Sequence, residues 1–98
     1  MDDHDKCKLL ARLRRISGQV DGIARMAEQD RSCAELLLQI SSAQAALGQS
    51  SKLILRSHME NSVTELLAMS KPSERKQKLD QLTQLLFRYA RLGMKNRK

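Results

Sequence analysis

The stretch from Arg31 to Met69 holds no proline and a single glycine, Gly48, and it constrains the chain more than any other. Its apolar residues recur at helical spacing, which predicts one long helix. Cys33 lies near one end and His58 near the other, 25 residues on. At ~100° per residue those 25 steps leave the two side chains about 20° apart around the axis, on one face. At ~1.5 Å per residue they are also roughly 38 Å apart along it, so within one straight helix they never meet. They meet if two copies of the helix pack antiparallel about a two-fold axis, where residue i faces j and j faces i. With Cys33 set opposite the other copy's His58, Leu37 falls near Ile54, Ile40 near Ser51 and Gln44 near Leu47. The crossing point is then Ala45–Ala46, inside the small-residue run Ser41-Ser42-Ala43-Gln44-Ala45-Ala46. The result is two identical Cys–His sites per dimer. Two other readings stand beside this one. Cys33 and His58 can be packing residues, and Gly48 with Ser50 and Ser51 can form a turn that makes a monomeric bundle of shorter helices. The lack of any Pro there favours the continuous helix.

Ninety-eight residues allow one domain, 1–98, with a core too small to leave oligomerisation irrelevant to stability. The composition is helical: 41% hydrophobic, one Pro, four Gly and 2% aromatic. Eighteen Lys and Arg against 11 Asp and Glu give +7, a balance that points to a polyanion, either nucleic acid or an acidic membrane face. Two Cys without a secretory leader point to free thiols in a reducing cytoplasm. No apolar run approaches the ~18 residues of a membrane span.

Residues 1–5 read as a loose acidic tail that caps a first helix through Asp3 or Asp5. His4 and Cys7 form an H-x-x-C pair whose members share a helix face. The first helix is expected over Lys6–Glu28, with the apolar stripe Leu9, Leu13, Ile16, Val20, Ile23 and Ala27. Beside it Lys8, Arg12, Arg15 and Gln19 lie within about 60° of one another. Arg14 and Arg25 lie on the far side. Arg suits phosphate and guanine, and Gln suits an adenine edge, so the stripe is a candidate DNA surface. It is also a candidate solvated face. Gly18 in mid-helix suggests the close approach of another backbone. Gln29-Asp30-Arg31-Ser32 is a link in which Asp30 or Ser32 caps the second helix. Cys33 then falls in a first turn, a place that suits a reactive thiolate. The second helix ends near Lys71, because Pro72 pushes its predecessor out of helical geometry. A third runs from about Glu74 to Leu92, with Gly93 as C-cap and a basic tail over 94–98 that includes Lys95, Arg97 and Lys98. No helix–turn–helix, zinc-finger or bZIP pattern is present, nor a phosphate loop or Ser-His-Asp set, so an enzyme is not expected.

The block Arg12-Leu13-Arg14-Arg15-Ile16-Ser17-Gly18-Gln19-Val20-Asp21-Gly22-Ile23, with Cys33, Gln39-Ile40 and Ser57-His58-Met59-Glu60, resembles the CsoR/RcnR/FrmR family of bacterial repressors over nearly the whole chain. The resemblance implies an all-α, three-helix protomer that forms antiparallel dimers and then tetramers. It implies a cytoplasmic repressor that leaves double-stranded operator DNA when an effector occupies a site between one protomer's Cys and another's His. By position Cys33 and His58 match the shared site residues, and Arg12, Arg15, Gln19 and Lys52 match the DNA surface, to which Arg14 is added.

The effector is read from departures. The copper branch carries a second Cys four residues after its His, where this chain has Ser62, and often a Tyr where this chain has Ser32. The nickel–cobalt branch has His at the Ser62 position and an N-terminal His, with which His4 is out of register. The formaldehyde branch has the same Cys and His, but also an N-terminal Pro amine where this chain has Asp2. The persulfide branch has Cys in place of His58. A transition-metal effector (Cu, Ni, Co or Zn) at Cys33 and His58 is the first expectation, with His4, Cys7 and Ser62 as further candidate ligands. The alternatives are a formaldehyde-responsive repressor with Cys33 as nucleophile, and a structural or adaptor dimer with a basic solubilising face.

Overall fold

The computed structural model describes residues 1–94, and the expected basic tail beyond Met94 lies outside them. Three helices follow in order: α1 (Asp3–Glu28), α2 (Cys33–Ala68) and α3 (Pro72–Met94), with no strand among the described residues. α1 and α3 each pack on α2 and do not approach one another closely. The long axis measures 60 Å, which the 36 residues of α2 nearly span at ~1.5 Å each. The radius of gyration is 18.1 Å, against about 13 Å for a globular chain of this length. α2 is therefore a rod with a helix laid on either flank.

Local chemistry sets the helix ends. α1 begins three residues before the expected Lys6, so His4 and Asp5 are helical rather than part of a loose tail. Its cap is Asp2, not Asp3 or Asp5: the Asp2 carboxylate accepts the Asp5 amide at 2.8 Å. α2 is continuous through Gly48, Ser50 and Ser51, so the turn alternative does not form. It stops at Ala68, short of the expected Lys71, with Met69 extended. Pro72 opens α3 instead of preceding it, since a first-turn proline gives up no helical hydrogen bond. Gly93 lies inside α3 and is not its C-cap. Arg75 donates from Nε to the Met69 carbonyl at 2.9 Å, and Lys78 pairs with Glu65, fastening α3 to the end of α2.

Among the described residues the buried set is small: Ile16, Ala43, Leu53 and Leu82, with Ser50, Ser57 and Ser62. The α2 positions are mostly small, which lets the flanking helices sit close, and Ser50 returns its hydroxyl to the Ala46 carbonyl at 3.2 Å. The apolar stripe of α1 divides. Leu9, Ile16 and Ile23 turn toward α2, whereas Leu13, Val20 and Ala27 stay exposed. Gly18 meets nothing within 4 Å, so no backbone of the same protomer approaches it.

Candidate functional site

Cys33 is the first residue of α2, directly after the cap Ser32. Ser32 Oγ accepts the Glu35 amide at 3.1 Å, and Glu35 Oε1 accepts the Ser32 amide at 3.2 Å, a complete capping box. Arg31 donates to both Glu35 oxygens, at 3.3 and 2.9 Å. The Arg31 hydrogen bond, helped by the Ser32 amide and the guanidinium charge, holds the Glu35 carboxyl down at about 2. Asp30 turns the chain with φ 58, a left-handed value that Asp tolerates. Cys33 is thereby presented, exposed, on a well-fastened helix start.

His58 is also exposed. Between it and Cys33 runs the predicted face of α2, and its apolar members are open: Leu37 is 64% exposed, Ile40 43%, Leu47 46% and Ile54 44%. Part of the small-residue run is used inside the protomer, with Ala43 buried and Ala46 half-buried. Ser62 departs from the sequence reading. It lies about 40° around from His58 but is only 2% exposed, whereas His58 is open, so it does not share the exposed surface of His58. His4 and Cys7 are exposed one turn apart on α1. Among the described residues no three His, Cys, Asp or Glu side chains are grouped to hold a metal.

The candidate DNA residues come from two helices. Because α1 and α2 form a hairpin about residues 29–32, the start of α1 lies level with the later half of α2. Lys8 and Arg12 of α1 accordingly line one groove of about 1040 Å³ with Lys52, Arg56 and His58 of α2 and Leu85, Leu86 and Tyr89 of α3. Arg14 and Arg15 are exposed, and Arg12 and Gln19 are half-buried. Arg56 was missed in the sequence. Its signal is there: it follows Lys52 by four residues and so shares its helix face.

The family model for metal-sensitive transcriptional repressors matches residues 5–88. The chain belongs to that family. It is 44% identical over 61 residues to the copper-sensing transcriptional repressor RicR of Mycobacterium tuberculosis, covering 62% of this chain and 64% of RicR. It is 40% identical over 63 residues to the copper-sensing transcriptional repressor CsoR of Bacillus subtilis, covering 64% of this chain and 62% of that one. The chain thus spans less than two thirds of these copper-sensing relatives. Among solved structures it is similar to the nickel-responsive transcriptional regulator InrS, at a TM-score of 0.72 and 34% identity over 84% of this chain and 89% of that one. The proteins this chain is similar to by sequence or by structure thus include ones named for copper and for nickel. No helix of the described residues is long and apolar enough to cross a membrane.

Proposed function

We propose that this chain is a cytoplasmic transcriptional repressor that holds operator DNA through the basic faces of α1 and α2 and leaves it when a transition-metal ion binds between Cys33 of one protomer and His58 of the partner subunit. The observation that carries this is the open stripe of α2. It starts at Cys33 and ends at His58, and its apolar members Leu37, Ile40, Leu47 and Ile54 are all uncovered. An apolar face of that length calls for a partner, and a second α2 laid antiparallel supplies one while joining the two polar ends. Protomers pair into a dimer by this face, and dimers into a tetramer through the further exposed residues Leu67, Leu79 and Phe87.

One thiol and one imidazole suit a soft or borderline metal such as Cu(I), Ni, Co or Zn, which would take Cys33 as thiolate and His58 as neutral imidazole. Buried Ser62 leaves that set at two strong donors, to which His4 or Cys7 of α1 would add. The same thin set favours a second reading, in which Cys33 is the nucleophile for a small aldehyde such as formaldehyde.

Promoter titration at two salt concentrations tests the repressor. Binding is expected to weaken steeply with salt and to be lost in Arg12→Ala or Arg15→Ala. Equal affinity for promoter and random DNA would instead favour a structural dimer with a solubilising face. Intact mass after exposure to each effector separates the two chemistries: a chelator removes a metal, whereas a carbon adduct survives denaturation.

A further inference from the structure

Two segments of this chain contain no acidic residue at all: Lys6–Val20, and Leu36–Met59. A basic face kept for solubility normally mixes both signs. Here the fold lays one acid-free segment against the other, α1 on α2. Four of their cations line the groove described above, two from each helix. Lys8 and Arg12 stand one turn apart on α1, and Lys52 and Arg56 one turn apart on α2. Among the described residues the ion pairs are Arg31–Glu35 and Lys78–Glu65, so none of these four cations is neutralised. Lys8, Lys52 and Arg56 are exposed, and Arg12 is half-buried at the helix junction. Like charges brought together without counter-ions destabilise the free protein and are relieved when a polyanion arrives.

We infer that Lys8 and Arg56 complete, with Arg12 and Lys52, a four-cation seat across the α1–α2 junction that grips the sugar–phosphate backbone of the DNA. This rests on the repressor reading above and adds two contacts to it. Arg56 projects about 160° around α2 from His58, yet the groove that the four cations line also holds His58, so the seat adjoins one end of the effector stripe. A phosphate seat carries no base code, so its loss weakens binding to every sequence alike and lowers the salt dependence.

The experiment is a salt series of DNA titrations with the full chain, on its own promoter and on a random duplex. Lys8→Ala and Arg56→Ala are each expected to reduce the slope of log affinity against log salt by about one and to weaken both duplexes equally. Arg56→Lys should restore the slope, since the seat reads charge. Arg25→Ala removes the same charge from the far side of α1 and should leave both duplexes bound as before. Circular dichroism confirms folding; where an alanine variant fails to fold, Lys8→Gln and Arg56→Gln take its place. If Arg56 and Lys8 variants bind with unchanged slope while Arg12→Ala weakens binding, the seat is overturned and the repressor reading stands. If Arg12→Ala is also without effect, both fall.

Discussion

Glu35 holds two neighbours at once, the Arg31 guanidinium and the Ser32 amide, and its carboxyl is held down at about 2 from 4.5. A depressed carboxylate contributes its stabilisation in full above the unfolded value and loses it as pH falls through the folded one. The window is therefore between about pH 4.5 and about pH 2. Glu35→Gln keeps the capping-box geometry and drops the charge. The difference in thermal midpoint between wild type and Glu35→Gln should hold steady above pH 5, close across that window, and shrink at high salt because the pair is fully exposed. Ser32→Ala removes the cap and is expected to cost about 1 kcal/mol in a denaturant titration. Cys33→Ser is predicted to bind promoter DNA like wild type and to ignore the effector. Release of Cys33→Ser by the natural effector would make Cys33 a packing residue.

Helices were the legible part of this sequence, and their ends and flanks were not. The continuous α2 followed from the lack of proline, while its cap was narrowed only to Asp30 or Ser32, of which Ser32 takes the role in a capping box with Glu35. The start of α1 was set too late because Asp2, Asp3 and Asp5 read equally well as a solvated tail; only the Asp2–Asp5 hydrogen bond distinguishes a cap from a tail. Helical spacing placed Cys33 and His58 on one face, but a wheel does not show which positions the neighbouring helices cover, so the candidate ligand Ser62 was not recognised as buried. For the same reason the apolar stripe of α1 did not separate exposed Leu13 and Val20 from buried Ile16. Gly18 suggested a close backbone, and none from its own protomer is there. Gly18→Ala is therefore predicted to stabilise α1 by about 1 kcal/mol and to raise the thermal midpoint by several degrees. A loss of DNA affinity in that variant, measured by the same titration, would locate the approaching backbone in the DNA.

At the scale of the molecule, the described residues bury only four apolar side chains, and large ones lie open on all three helices. Leu47→Glu or Ile54→Glu should shift sedimentation from the assembled species to a poorly stable monomer, because either charge falls on the proposed pairing face. Mixing Cys33→Ala with His58→Ala chains should restore part of the effector response. One site of the mixed dimer loses both residues and the other keeps both. Failure of the two to complement would count against the antiparallel register.

The separation of Cys33 from His58, roughly 38 Å along a single rod, also bears on dosage. On the proposed pairing, a newly made chain is deaf to the effector until it finds another, so competence to respond rises with the square of abundance while chains are scarce. A cell that dilutes this protein by growth would lose its ability to hear the signal sooner than it loses the protein itself.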